Sequence, residues 1–274
     1  MLGNLDNEII FKKAFTDKFV LQCVVKDIFG VDFEPAKVET EKRFKPKIAH
    51  IDLKYDIFAE SKDKRTIVEI QKVDYDYNFD RFLLYHNMAI AEQQRTSKEY
   101  KADKLVLTLV VFTDKYNKIK QRNNEEIAEA ILLFDTNLKN IKGEKIDVWG
   151  HQLTFLNHNY LKNDTPQVYK DWLQLVRESI MNPSEPDINF SNQGVKKVAQ
   201  LIDYQNLSAE ELTESKNRHA AQSVKELDEE RAIFKREVEI ATKMLRANSS
   251  DSFVAQMTGL SIFQIEALRK ELSI

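Results

Sequence analysis

Apolar residues recur at helical spacing through positions 5 to 28, at Ile9, Ile10, Phe11, Phe15, Phe19, Val20, Val24, Val25 and Ile28. The pattern predicts a first helix, broken near Asp17, with Asp6 placed to cap its start. Gly30 interrupts the pattern, and Val38 to Phe44 then alternates charged and uncharged positions as a half-exposed strand does. Lys54 to Glu60 and Thr66 to Gln71 are rich in β-branched and aromatic residues and flank the polar Ser61-Lys62-Asp63-Lys64, which predicts a hairpin. Residues 78 to 95 predict a helix. Lys104 to Phe112 is so continuously apolar that it predicts a central strand covered on both faces. Beyond it the signal weakens: Asn123 to Phe134 reads as helix, Lys145 to Leu156 as edge strands, and Pro166 to Met181 as an amphipathic helix containing Trp172.

Two prolines within Asn182-Pro183-Ser184-Glu185-Pro186-Asp187 mark a turn or linker, whereas Leu207 to Arg246 holds no proline or glycine and shifts to Ala, Glu, Lys and Arg. The second stretch predicts a long helix. Along it Val224, Val238 and Leu245 alternate with Leu227, Phe234 and Ala241 at steps of three and four, broken by Arg231. That is either the seam of a homodimer through this helix or a helix lying on its own domain. Near the end, Gly259 fits a turn between two helices, with Ser261 and Gln264 spaced as a capping box. The division that follows is an α/β domain over 1–181, a linker region over 182–206, and a helical 207–274.

Composition narrows the function classes. With 42% hydrophobic residues in 274, the chain can bury a core. Forty-one basic against 44 acidic side chains leave a net charge of -3, and the residues from Asn206 onward hold 10 basic and 12 acidic, so no part is a basic arm. Any nucleic-acid contact is therefore local. A single cysteine, Cys23, and five scattered histidines exclude an internal disulfide and show no zinc-ligand spacing; His50 and His86 receive no role. The start turns charged within a few residues, and no apolar run reaches the roughly 18 residues of a membrane span, so a cytoplasmic protein without membrane partners is expected.

The sharpest chemistry lies in the hairpin. Glu69 and Gln71 are two apart and share one face of a strand, while Val68 and Ile70 turn to the other. A hairpin symmetric about Lys62-Asp63 sets Asp56 opposite Glu69, with Cβ atoms roughly 4.5–5.5 Å apart, and like charges so placed destabilise a sheet unless something neutralises them. A divalent cation does so: Mg²⁺ takes one or two carboxylates together with waters and phosphate oxygens. The alternative is an exposed edge-strand Glu69 answered by Lys54 or Arg65.

Asp56, a turn, Glu69-x-Gln71, a helix carrying Arg81, Tyr85, Glu92 and Gln93, and then the apolar strand together resemble the PD-(D/E)XK nuclease superfamily. The closest likeness is to its transposase-associated, recombination-promoting nuclease (Rpn-like) branch. Glu8-Ile9-Ile10-Phe11-Lys12 resembles that branch's acidic-x-x-Phe-Lys start, and the likeness continues to Thr258-Gly259-Leu260-Ser261. The resemblance implies a restriction-endonuclease-like mixed sheet flanked by helices, followed by a C-terminal all-helical extension, and Mg²⁺- or Mn²⁺-dependent cleavage of DNA phosphodiesters. It implies Asp56 and Glu69 as metal-binding acids, Gln71 where the superfamily usually has lysine, and Glu8 as an acid that orients the attacking water or as an ordinary first-turn glutamate. Lys54 is a candidate for the missing charge and Arg81 for a phosphate contact, each with a purely structural alternative. Gln264 and Arg269 are the polar candidates of a helix-turn-helix, or members of a hairpin used for self-association. The alternatives to an endonuclease are a nuclease-fold DNA-binding or dimerising module with little turnover, which Gln71 favours, and a toxin or regulator controlled by a partner.

Overall fold

The structure is a computed structural model describing residues 1–44, 53–72, 78–94, 101–114 and 125–272; His50 lies outside these. Helix α1 spans Glu8–Phe15 and α2 spans Lys18–Phe29. Asn7, not Asp6, caps α1, its side-chain oxygen accepting from Ile9 N–H at 3.0 Å. Asp6 turns instead to the Thr113 hydroxyl and Lys72. The break at Asp17 exists because Asp17 caps α2, accepting from Phe19 and Val20 N–H. Gly30, at φ 72°, closes α2 in the left-handed region that glycine enters without strain.

Strands β1 (Lys37–Phe44), β2 (Leu53–Glu60) and β3 (Lys64–Gln71) run antiparallel; α3 (Asn78–Ala91) follows, and β4 (Leu105–Phe112) returns parallel to β3. Next come β5 (Ile131–Asp135), a small ribbon of β6 (Leu138–Lys139) and β7 (Lys145–Ile146), and β8 (Gln152–Asn157). The main sheet is six-stranded in the order β1-β2-β3-β4-β8-β5. Two expectations fail here. Ile131-Leu132-Leu133-Phe134 forms strand β5 rather than the end of a helix, because β8 offers it an antiparallel edge. The second half of Lys145 to Leu156 is β8, no edge strand but an interior one between β4 and β5, burying Leu153, Phe155 and Leu156.

Helices α4 (Gln167–Met181) and α5 (Gln193–Leu201) join α1 and α2 on one face of the sheet. Phe11, Phe15, Val24, Ile57, Val68, Leu109, Trp172 and Val195 are the centre of that core. The contact is close enough to require glycine at 194, where a Cβ would lie 2.5 Å from the Cys23 Cβ. Residues 182–206, expected as a linker, thus contribute Ile188, Val195, Val198, Ala199 and Ile202 to the core. Helix α3 covers the other face through Phe82 and Ala89, packed in clusters with Val110, Phe155, Tyr55, Phe58, Ile67 and Val106.

The first compact unit runs to Ser215, eight residues beyond Leu207, which is itself buried in the core. Helix α6 (Ala209–Arg246) crosses the boundary. The second unit, Lys216–Ile274, adds α7 (Asp251–Thr258) and α8 (Ile262–Leu272) around Ala241, Leu245, Val254, Leu260 and Ile265. Gly259 makes the turn at φ 79°, and Ser261 and Gln264 form the expected capping box. Of the α6 seam, Ala241 and Leu245 are buried inside this unit while Val224, Leu227 and Phe234 are exposed. No helix among the described residues is long and apolar enough to cross a membrane.

Candidate active site

The hairpin pairs Ile57 with Val68, Phe58 with Ile67, Ala59 with Thr66 and Glu60 with Arg65. That is the symmetric register, and one step further it brings Asp56 and Glu69 level. There the ladder stops. The Asp56 N–H donates to Glu69 Oε1 at 3.1 Å, and the Ile70 N–H donates to Asp56 Oδ2 at 3.1 Å. Two side chains thus take the places of two carbonyls, so both backbone donors stay satisfied while the strands part.

The other edge of β2 is broken at the same level. Thr40 pairs with Ile57 and Lys42 with Tyr55, but Glu41, between them and level with Asp56, is unpaired and sits at φ 56°. Side-chain alternation changes across this point: Ile57 packs on the α1–α2 face, whereas Tyr55 packs with Phe58, Ile67 and Tyr85 on the α3 face. A regular strand would put Tyr55 and Ile57 together. The irregularity is local to Asp56 and turns its carboxylate inward, as bulges do beside functional sites.

Glu69 is fully buried, and its Oε2 has no hydrogen-bond partner among the described residues. Among the described residues three other buried side-chain atoms share that condition, Thr66 Oγ1, His86 Nε2 and His158 Nε2, and of the four residues Glu69 is the acid. Burial, and after it the charge of Asp56, holds the Glu69 carboxyl well above its ordinary value. Burial also raises Asp56, against the Ile70 N–H and the charges of Lys12 and Arg81, which lower it. Both acids therefore resist ionising together, and the pair retains a proton or calls for a cation. Neither Lys54 nor Arg65 answers Glu69: Lys54 pairs with Glu41 at 3.1 Å, and Arg65 with Glu60 and Glu92, each at 2.7 Å.

Gln71 is buried on the same strand two residues on, and its Oε1 accepts from Arg81 Nη1 at 3.4 Å. Arg81 reaches it from α3, its guanidinium 5.2 Å from the ring centres of Phe82 and Tyr85, and its charge is felt at both acids. Lys72 turns away to Asp6. Glu8, on α1, pairs with Lys12 and raises Asp56 through its charge. Sequence reasoning missed Lys12 as a site residue although it stands in the quoted Phe11-Lys12 start; its signal was an amphipathic helix carrying a lysine beside its buried stripe. In the second unit Gln264 caps Ser261, and Arg269 binds Asp251 at 2.8 Å and the Ser249 carbonyl, so both work in folding the hairpin.

Among the described residues no group of three or more His, Cys, Asp or Glu side chains gathers as a metal cage. Two carboxylates, one with an orphaned buried oxygen, suit the other mode of hard-cation binding, in which water and phosphate complete the shell. The donor set fits Mg²⁺ or Mn²⁺. Residues 16–233 match the family described as PD-(D/E)XK nuclease family transposase. No curated protein and no solved structure matches.

Proposed function

The chain belongs to the PD-(D/E)XK nuclease family transposases, and from that premise we propose that it is a divalent-metal-dependent DNA endonuclease, acting in transposition or recombination, with Asp56 and Glu69 as its catalytic acids. The observation that carries the reading is the buried, unpartnered Glu69 oxygen beside a second raised carboxyl. An acid held above its ordinary value at a break in the sheet is costly to keep unless a ligand uses it.

Asp56 and Glu69 are the residues that would hold the ion. When bound, Mg²⁺ or Mn²⁺ supplies a Lewis acid that offsets charge on the phosphate oxygens. The attacking water forms a bond to phosphorus, the bond from phosphorus to the leaving oxygen breaks, and the proton released by the water passes to solvent. Gln71, fixed by Arg81, orients the water or a phosphate oxygen through its amide, and Arg81 adds a guanidinium suited to phosphate. Lys54, on β2 two residues before Asp56 and paired with Glu41, is a further candidate for a phosphate contact.

Supercoiled plasmid nicking across Mg²⁺, Mn²⁺, Ca²⁺ and chelator is the test. Nicking is expected in Mg²⁺ or Mn²⁺ and absent in chelator; Asp56→Ala and Glu69→Ala are expected to abolish it without loss of helical circular dichroism. Wild-type nicking that survives chelation removes the proposal. A second reading, a DNA-binding or dimerising module, draws on the exposed Val224, Leu227 and Phe234 of α6 and on Phe263, 80% exposed on α8. A chain ending at Ser215 separates the two: an enzyme keeps metal-dependent nicking, whereas the module loses its working surface.

A further inference from the structure

Glutamine at position 71 leaves the site with a neutral amide where hydrolysis of a phosphodiester develops negative charge. Among the described residues the structure offers three candidate cations: Arg81, Lys54 and Lys12. Arg81 is engaged with Gln71 itself. Lys54, its side chain 39% exposed, reaches outward to Glu41. Lys12 differs from both: its side chain is only 14% exposed, and it comes from α1, which packs on both β2 and β3.

Lys12 is held from two sides. It pairs with Glu8 one helical turn earlier, and with Glu41 at 3.0 Å. Glu41 is the residue level with Asp56 on β1, and it occupies the left-handed region, at a cost of about 1–3 kcal/mol for a residue with a side chain. A strand that kept its pairing at position 41 would point this carboxylate elsewhere. The strained residue thus binds Lys12 and Lys54 together beside Asp56. Burial lowers the Lys12 ammonium, but Glu8, Glu41 and the charge of Asp56 outweigh it, so the group stays protonated. It is a charge and not a base.

We propose that Lys12 supplies the positive charge that Gln71 lacks, acting on the scissile phosphate, and that Glu41 is the residue that positions it. The inference rests on the nuclease reading above and adds a residue to it.

The experiment measures single-turnover nicking in Mg²⁺ by the full chain, with DNA affinity in Ca²⁺ and melting temperature read in parallel. Lys12→Met is expected to lower the rate constant about 100-fold, the size seen when one donor to developing charge is removed, with DNA affinity changed less than about threefold. Lys12→Arg, which keeps the charge and changes its shape, is expected to fall in between. Returning an amine from β3, Lys12→Met with Gln71→Lys, is expected to recover about tenfold. Glu41→Gly tolerates the left-handed backbone and removes only the carboxylate. It is expected to slow nicking about tenfold in the wild type and not at all beside Gln71→Lys, a non-additivity that marks one shared role. Lys12→Met nicking at the wild-type rate while Glu69→Ala is inactive would overturn this proposal and leave the nuclease reading standing. A Lys12→Met loss matched by lost DNA affinity, or a failure of Gln71→Lys to restore any rate, would also overturn it. Absence of nicking by the wild type in every metal takes down both.

Discussion

Replacing Glu69 by glutamine tests the electrostatic heart of the site without any DNA. The substitution keeps the shape and the Oε1 acceptor for the Asp56 N–H, and it replaces the unpartnered Oε2 by an amide donor in a site that the Asp56 carboxyl shares. Relief of a buried unsatisfied polar atom is worth about 1–3 kcal/mol, more for a charged one. At about 2–4 °C per kcal/mol for a unit of this size, the melting temperature in chelator at pH 8 should rise by about 2–12 °C. The sign follows from proton linkage. Burial and then Asp56 raise Glu69 in the folded chain, while the unfolded chain titrates in the ordinary carboxylate range. As pH climbs between those values the unfolded state has released a proton that the folded state still holds, so wild-type stability falls and has fallen fully once the raised value is passed. The glutamine variant has no proton there to lose. Its advantage should open with rising pH and close again below the ordinary range. Mg²⁺ should then stabilise the wild type and not the variant, because the proposed site needs both carboxylates. Thermal melts over pH 4 to 9, with chelator and with Mg²⁺, read all of this. A Glu69→Gln protein that melts below wild type at pH 8 in chelator refutes the claim that the buried, raised Glu69 carboxyl costs the fold stability.

Other substitutions probe the scaffold. Gly194→Ala puts a Cβ 2.5 Å from Cys23 and 2.8 Å from the Trp172 ring, and should cost about 1–3 kcal/mol in a denaturant melt while leaving the metal response intact. Arg65→Met removes a guanidinium that binds Glu60, Glu92 and the Ala89 carbonyl and lies 5.0 Å over Phe58; because both acids keep some access to water, the loss should be about 2 kcal/mol, below the roughly 3–5 kcal/mol of fully buried pairs. A chain ending at Ser215 should unfold cooperatively, whereas one ending at Asn206 loses Leu207 and Leu212 from the core and the Glu211 pair with Lys13, and should be less stable by about 2–5 kcal/mol in the same melt.

The parts of the fold legible in the sequence are those where one period dominates. The stripe of α1 and α2, the apolar run of β4 and the uninterrupted composition of α6 each leave a single backbone solution. The hairpin register was legible too, because Lys62-Asp63 centres it and any slip would send Val68 to the wrong face. What failed depended on partners distant in sequence. Ile131 to Phe134 is apolar enough for either a helix or a strand, and only the edge of β8, about twenty residues on, decides it. The turn at Pro183 and Pro186 looks like a linker until α5 comes back to seat Gly194 against Cys23 and Trp172. The pairing of Asp56 with Glu69 was visible; the break at Glu41 was not, since nothing in Thr-Glu-Lys announces a left-handed glutamate.

That break explains how the sheet carries two acids in its interior. A continuous ladder at this level would satisfy every backbone donor with carbonyls and leave both carboxylates to find partners of their own, at the price of a buried charge repulsion. Parting the strands instead lets Glu69 Oε1 and Asp56 Oδ2 serve as the acceptors, which spends one oxygen of each on structure. The remaining Glu69 oxygen has no hydrogen-bond partner among the described residues, and the proposed ion would use it. The flanking rows then hold β2 and β3 in place from both faces: Ile57 and Val68 against α1 and α2, Tyr55 and Ile67 against α3. Packing on two sides prevents the local relaxation by which an exposed edge would pull the acids apart. The arrangement is thus stable because of its surroundings and poised because of its own contacts, and it follows that substitutions in the flanking rows should loosen metal affinity before they unfold the chain.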